Sequence, residues 1–271
     1  LPTTGGVIDA TSVTGAQAIS AALVVQKDNV TILLGASTIT LSGVGATQNP
    51  AGGVIRVGST STGAAPGGHY FPMIGVCGGT KLILGNAVQA SGIILNRVHH
   101  ATIECIDLDG NKANITAQAD DTFQTGITAI ATTPDITVAT QHSLKDLRVH
   151  DFIHYGILLY GASATQNIIE GGWYTNNGKV DDAVSIGSGI ILNNGAGSNK
   201  VTGAVITGNK AQGIEINAVL STLNDTILSN NNIGSNNIGV RVLEDTGHGS
   251  LAGVGVNGLA MTGNHIVSNT S

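Results

Sequence analysis

Charged and aromatic residues are scarce in this chain of 271 residues, at 10% and 3% of the composition. The net charge is −6, and the 11 Lys and Arg residues form no run. Nucleic-acid binding needs a basic face, so we expect no nucleic-acid partner. No apolar run reaches the ~20 residues of a membrane helix, so we also expect no membrane span. Disorder is excluded, because 41% of the residues are hydrophobic.

Cysteine is almost absent, with only Cys77 and Cys105 in the chain. This number is compatible with one disulfide, but free cysteine is among the most buried residue types. We therefore favour two buried thiols over a disulfide bond. The chain begins at Leu1 and shows no signal peptide, which we interpret as a mature or trimmed chain.

Glycine is abundant, with 39 residues, and it opens a recurring pattern of Gly, apolar, variable, apolar. The pattern occurs at Gly189–Leu192, Gly213–Ile216 and Gly239–Val242. Short apolar runs that end in a Gly/Asn turn alternate with it, as in 205–209 and 227–231. Strand and turn that repeat every twenty-odd residues are typical of a solenoid. We predict an all-β, single-stranded right-handed parallel β-helix.

The repeat pattern covers the chain as one domain, 1–271, with three parts. These are an N-terminal cap with the first strands (1–42), an irregular insertion (43–80) and regular rungs (81–271). In the cap, Thr14 and Gln17 have the spacing of a capping box, and apolar residues follow at helical spacing. We predict a short helix there that covers the open end of the solenoid.

Aligning the repeats predicts which side chains are neighbours on adjacent rungs, about 4.8 Å apart. Asp107 falls beside Arg148, and Asp109 and His150 share one outward column. Ile214 and Ile216 point inward, whereas Glu215 forms an exposed ion pair with Arg241.

A family resemblance rests on the segments Gly92-Ile93-Ile94-Leu95 and Leu108-Asp109-Gly110-Asn111, together with the strand pair between Leu33 and Leu41. These segments resemble the opening of the pectate-lyase-like superfamily. The resemblance implies a right-handed parallel β-helix and a protein directed at polysaccharides, as a lyase, hydrolase, epimerase or phage tailspike. The superfamily also has members without known activity. Tailspike-like relatives imply that a homotrimer is an option.

Candidate site residues concentrate in the middle of the chain, where longer insertions between rungs indicate the binding face. Aromatic rings stack on sugar faces, and carboxylates and imidazole transfer protons. The candidate catalytic residues are Asp109, His150, Asp151, Asp181 and Asp182. The candidate substrate-binding residues are Arg148, His154, Tyr155, Trp173 and Tyr174. No motif requires a cofactor, but Ca²⁺ is an option, with Asp120 and Asp121, or Asp181 and Asp182, as ligands.

Two functions therefore stay open at this point. The first is an extracellular protein, secreted, on the cell surface or on a phage particle, that binds and could also degrade a polysaccharide, by hydrolysis or elimination. The second is a structural or adhesive solenoid without catalysis, which the low charge and the lack of a complete catalytic motif favour. Whether the protein is an enzyme stays undecided.

Overall fold

Stacked parallel strands are the dominant regular element of the structure, a computed structural model. It describes residues 5–42, 53–58, 69–70, 73–74, 79–96, 98–115, 124–130, 139–161, 164–179, 187–218, 222–243 and 255–270. Three long sheets run along one axis, and every strand pairs in parallel with the equivalent strand of the next rung. The predicted right-handed parallel β-helix is confirmed.

The strands of each sheet follow in axial order. Sheet A contains Gly6–Ala10, Val30–Leu34, Met73–Ile74, Thr102–Glu104, Ser143–Lys145, Ile168–Glu170, Lys200–Thr202, Ile227–Ser229 and Ala260–Thr262. Sheet B contains Gly15–Ile19, Ser37–Leu41, Lys81–Leu84, Asp107–Asp109, Arg148–His150, Trp173–Thr175, Val205–Thr207, Asn232–Gly234 and His265–Val267. Sheet C contains Leu23–Val25, Gly53–Gly58, Ser91–Asn96, Ile127–Ile130, Ile157–Tyr160, Ile190–Asn193, Gln212–Asn217 and Ile238–Leu243.

Two small sheets and one short helix complete the described elements. The small sheets contain His69–Tyr70, Val98–His99 and Ala139–Thr140, and Leu223–Asn224 and Val256–Asn257. A 3₁₀ helix spans Lys112–Asn114. Among the described residues, no helix has the length and hydrophobicity needed to cross a membrane.

The predicted N-terminal helix is wrong. Gly15–Ile19 is a strand that pairs with Ser37–Leu41 over five residues. Gln17 still contacts Thr14, but its side-chain amide donates to the Thr14 carbonyl at 3.2 Å. A helix of this length is marginal by itself, whereas the adjacent strand offers a full set of backbone hydrogen-bond partners.

The predicted register is confirmed in sheet C. Ile190, Ile214 and Val240 lie in one column, and Ile214 and Ile216 are fully buried. Glu215 lies beside Arg241 on the adjacent rung, as predicted. The expected exposure of this pair is wrong for Glu215, whose side chain is only 7% exposed. Burial raises the pKa of Glu215, and Ser188 donates a hydrogen bond to its carboxylate at 3.2 Å.

The outer surface of sheet C is closed over much of its length. Its outward column includes Arg56, Ile94, Thr128, Leu158 and Ile191, and all five are buried. Most outward residues in the middle of sheet B, by contrast, are partly or fully exposed, above all Trp173, although His150 is buried. Sheet B therefore offers the more accessible of the two faces to a ligand.

Cys105 is disulfide-bonded, so the expectation of two thiols is wrong. The other cysteine of the chain, Cys77, lies outside the described residues. Cys105 occupies a turn between sheets A and B with a left-handed backbone, φ 55°. Disulfides persist in oxidising compartments, so this bond is consistent with a location outside the cytoplasm.

Candidate functional site on sheet B

Two outward columns of side chains run along the middle of sheet B. The first contains Lys81, Asp107, Arg148 and Trp173, and the second contains Ile83, Asp109, His150 and Thr175. Side chains alternate between the two faces of a strand, so each three-residue strand contributes two outward residues around one core residue. We call the surface formed by Lys81, Asp107, Asp109, Arg148, His150, Asp151 and Trp173 the sheet B face.

His150 is the centre of a hydrogen-bond network on this face. Its Nε2 lies 2.9 Å from Asp107 Oδ1, and its Nδ1 lies 2.6 Å from Asp151 Oδ2. The hydrogen bonds with Asp107 and Asp151 raise the pKa of His150 to about 9, against the opposing effect of burial. The imidazole is therefore protonated and positively charged at neutral pH.

The carboxylates around His150 are ionised and paired. Burial favours a higher pKa for Asp107, but the His150 hydrogen bond and the positive charges of His150, Arg148 and Lys81 outweigh it and lower that pKa. The hydrogen bond with His150 likewise lowers the pKa of Asp151. Lys81 Nζ lies 2.8 Å from Asp109 Oδ2. Three positive groups thus balance three carboxylates on this face.

Turn residues hold the two outer carboxylates in place. The backbone N–H of Asn111 donates to Asp109 Oδ1 at 2.8 Å, and the side-chain amide of Asn176 donates to Asp151 Oδ1. Asp151 has a left-handed backbone conformation, with φ 59°, which short polar residues tolerate at turns. The carboxylate of Asp151 is thereby turned back toward the preceding residue, His150.

Trp173 is the most exposed ring of the predicted site, with 55% of its surface accessible. Arg148 precedes it in the same column, and its guanidinium lies 3.4 Å from Asp107 Oδ2. Trp173, Arg148 and Asp107 border an open depression of about 310 Å³ that also includes Cys105 and Asp146. The depression combines an apolar ring with charged hydrogen-bonding groups.

The structure brings together several residues predicted from the sequence and separates others. Asp109, His150, Asp151, Arg148 and Trp173 all lie on the sheet B face. Tyr174 and His154 were wrongly predicted to bind substrate, because both side chains are fully buried. Tyr155 is partly buried, with its ring centroid 6.3 Å from that of His154. The remaining candidates lie outside the described residues: Asp120, Asp121, Asp181 and Asp182.

Lys81 and Asn176 belong to the site but were not among the predicted site residues, and Asp107 was predicted only as a neighbour of Arg148. The strand repeat itself contained a signal for Lys81, because Lys81-Leu82-Ile83 aligns with Asp107-Leu108-Asp109. Asn176 had no comparable signal, since its contact with Asp151 depends on how the turns stack.

Residues 77–270 match the protein family described as periplasmic copper-binding protein (NosD). The chain belongs to the NosD family. No curated protein sequence matches this chain.

Two solved structures resemble this NosD-family chain. The A-module of mannuronan C-5 epimerase AlgE4 from Azotobacter vinelandii is 16% identical, with a TM-score of 0.41 over 86% of this chain and 68% of that chain. The Streptococcus pneumoniae surface protein and adhesin PfbA is 9% identical, with a TM-score of 0.34 over 98% of this chain and 91% of that chain. Similarity at this level says nothing about the activity of this chain.

The description of the NosD family names copper, and the sheet B face contains a set of donors that fits the oxidised ion. Asp109, His150 and Asp151 each offer one ligand atom, and these atoms lie within 4.8 Å of one another. One imidazole nitrogen and two carboxylate oxygens suit Cu²⁺, whereas Cu⁺ prefers sulfur ligands. Cys105 offers no thiolate, because its sulfur is in a disulfide.

Proposed function

We propose that this NosD-family protein binds a neutral polysaccharide through the sheet B face. The observation that carries the proposal is the exposed indole of Trp173 beside Arg148 and Asp107. An exposed ring offers a flat apolar surface to a sugar, and the charged groups next to it can bond sugar hydroxyls. A solvent-exposed tryptophan without such a role exposes apolar surface at a cost.

The charge balance of the face favours a neutral glycan over an anionic one. Lys81, Arg148 and His150 are each paired with a carboxylate within the face. The whole chain has a net charge of −6, which repels a polyanion. A uronate polymer would need unpaired cations, and the positive groups of this face are already neutralised.

The shape of the face favours a chain-like ligand that follows the axis of the β-helix. A second depression, of about 230 Å³, lies farther along sheet B and includes Val205, Asn232 and Ser235. Val205 directly follows Trp173 in the outward column, and Asn232 follows Val205. With rungs about 4.8 Å apart, the two depressions can contact successive sugars of one extended glycan.

The proposed location is outside the cytoplasm, in the periplasm or on the cell surface. The disulfide at Cys105 supports it, because such bonds are rare in reducing compartments. The periplasmic description of the NosD family also supports it.

The test is native affinity electrophoresis in gels that contain cellulose derivatives, xylan, β-glucan, alginate or pectate. We expect at least one neutral glycan to retard the wild-type protein, with little retardation by alginate or pectate. Replacing Trp173 with Ala should weaken that binding by about fivefold or more, since a stacking contact contributes ~1 kcal/mol or more.

Ile168→Ala is the matched control, because Ile168 is 43% exposed on the neighbouring sheet A. It should bind the glycan as the wild type does. Unchanged binding by Trp173→Ala, or retardation by none of the glycans, would overturn the proposal. Assays for new reducing ends and for unsaturated products on the same mixtures then separate a binding protein from a hydrolase or a lyase.

A further inference from the structure

We infer that the second depression of sheet B, around Gly234, binds an acetyl group carried by the glycan, so that the ligand is an acetylated neutral polysaccharide. This inference rests on the function proposed above and names the class of glycan. The depression has a volume of about 230 Å³. Complete small-molecule sites have volumes of roughly 300–1,000 Å³. The depression is therefore of the right size for one sugar with its substituent.

Gly234 leaves a gap in the outer surface of sheet B. It lies between Thr207 and Val267 in the outward column of three consecutive rungs. Its backbone is that of an ordinary strand and is not left-handed, so no turn requires glycine at this position. The missing side chain opens a space between the two neighbouring side chains that a ligand group can occupy.

The lining of the depression combines apolar and hydrogen-bonding groups. Val205 and Val267 contribute isopropyl groups, and Asn232 and Ser235 contribute an amide and a hydroxyl group. A methyl group gains free energy when it leaves water for contact with valine, whereas a sugar hydroxyl group does not. A substituent that suits this lining therefore has a methyl group and a hydrogen-bond acceptor, and acetyl is a small group that has both.

Asn232 is suited to bind the acetyl oxygen. Its side chain is exposed, and its Oδ1 lies 3.4 Å from His265 Nδ1 on the next rung. With its oxygen beside His265, Asn232 presents its amide N–H groups to a ligand. The carbonyl oxygen of an acetyl group can accept a hydrogen bond from them.

The substituent is uncharged. Among the described residues that border the depression, none is a lysine or an arginine. The chain has a net charge of −6. A carboxylate substituent would lose hydration in this depression without gaining a cation as partner. Acetyl esters and acetamido groups share the methyl and the carbonyl group, so both satisfy the lining.

The distance between the gap and Trp173 suits an extended glycan. The strand that contains Gly234 lies two rungs beyond the strand of Trp173, with Val205–Thr207 between them. Two rungs correspond to about 10 Å. A glycan that stacks one sugar on Trp173 and follows the axis of the β-helix can thus place the acetyl group of a later sugar in the gap.

The test compares uncharged oligosaccharides that differ in their acetyl groups, by isothermal titration calorimetry on the full chain. O-acetylated xylo-oligosaccharides are paired with their alkali-deacetylated form, and oligomers of N-acetylglucosamine are paired with oligomers of glucose. The first pair tests the ester and the second the acetamido group. We expect the acetylated member of at least one pair to bind about fivefold more tightly or better, because a buried methyl group and a hydrogen bond both contribute.

Two variants test the depression itself. Gly234→Ser places a side chain in the gap, so it should lower the affinity for the acetylated member to that for its partner. A Cβ at Gly234 would meet Val267 O at 3.0 Å, which can also disturb the fold. Asn232→Ala is therefore the second variant, because it adds no atoms. It should reduce the preference for the acetylated member by about threefold.

Asn257→Ala is the matched control, because Asn257 is an exposed asparagine outside sheet B. It should keep the wild-type preference. Equal affinity within both pairs, or a preference that persists in both Gly234→Ser and Asn232→Ala, would overturn the inference.

Trp173→Ala separates this inference from the proposed function. It should weaken both members of a pair by a similar factor and leave the preference for the acetylated member in place. Binding that depends on Trp173 but shows no preference within either pair would refute the inference and leave the proposed function intact. Binding of no glycan would refute both.

Discussion

At the scale of single residues, His142 occupies a position that asparagine fills elsewhere. The backbone N–H of Asn167 donates to Asn199 Oδ1, and that of His142 donates to Asn167 Oδ1 at 2.8 Å. The series continues with the backbone N–H of Ala101, which donates to His142 Nδ1 at 3.1 Å. The imidazole therefore acts as the last acceptor of a buried ladder. Its Nε2 is buried without a hydrogen-bond partner among the described residues.

The ladder position makes the protein sensitive to acid. Burial, with smaller contributions from the neighbouring His99 and His100, lowers the pKa of His142 to about 3. As the pH falls below 6.5, the ordinary pKa of histidine, His142 takes up a proton in the unfolded chain, whereas the buried imidazole of the folded protein stays neutral. His142 should therefore lower the free energy of unfolding by up to about 1.4 kcal/mol for each unit of pH below 6.5. This loss continues until the pH reaches the pKa of His142 in the folded protein.

We predict that His142→Asn removes this contribution and keeps the ladder. Urea unfolding at a series of pH values between about 7 and 4 should give a shallower loss of stability for the variant than for the wild type. Parallel profiles for the two proteins would contradict the assignment. His265→Asn, at an exposed histidine, should follow the wild-type profile.

At the scale of elements, a glycine at the start of the sheet C strands from Ser91–Asn96 to Gln212–Asn217 is required by the stacking distance. A Cβ at Gly126 would meet Gly156 O at 2.5 Å, and one at Gly189 would meet Gly213 O at 2.8 Å. At Gly213 it would meet both Gly239 O and Ile233 Cγ2 at 2.6 Å. The repeated glycine of the sequence is thus a column without side chains, against which the next rung packs.

We predict that Gly213→Ala lowers the free energy of unfolding by about 1–3 kcal/mol, because the methyl group can fit only if adjacent rungs separate. Gly234→Ala is the comparison variant and should cost less, since its Cβ would meet Val267 O at 3.0 Å, a tight contact that is still longer than those at Gly213. Thermal and urea unfolding measure both effects. Equal stability of Gly213→Ala and the wild type would show that the rungs can adjust at this column.

The same repeat explains what sequence reasoning could and could not predict about the elements. It predicted that Asp109 and His150 are neighbours, because rungs of similar length stack in register. It did not predict that Tyr174 points inward, although Tyr174 aligns with the buried Val149. The strand Trp173–Thr175 has aromatic residues at two successive positions, so composition alone does not say which one faces the core. The burial of Glu215 depends on tertiary contacts that a local pattern does not contain.

The chain has only two cysteines, and one of them is in a disulfide bond. Cys105 is bonded, and Cys77 is the other cysteine of the sequence. We predict no reactive thiol in the denatured protein without reductant and two thiols after reduction, by a colorimetric thiol assay. Reduction should lower the free energy of unfolding by about 2–4 kcal/mol, because the cross-link restricts the unfolded chain. Two thiols before reduction would contradict this prediction.

At the scale of the whole molecule, one signal reports on the proposed binding face alone. Trp173 is the only tryptophan of the sequence and is 55% exposed, so intrinsic tryptophan fluorescence comes from the proposed sugar platform. Titration with a neutral glycan that retards the protein should shift the emission to shorter wavelength and protect it from acrylamide quenching, because a stacked sugar removes water from the ring. Saturable glycan binding that leaves both emission and quenching unchanged would contradict the assignment of the binding face to sheet B.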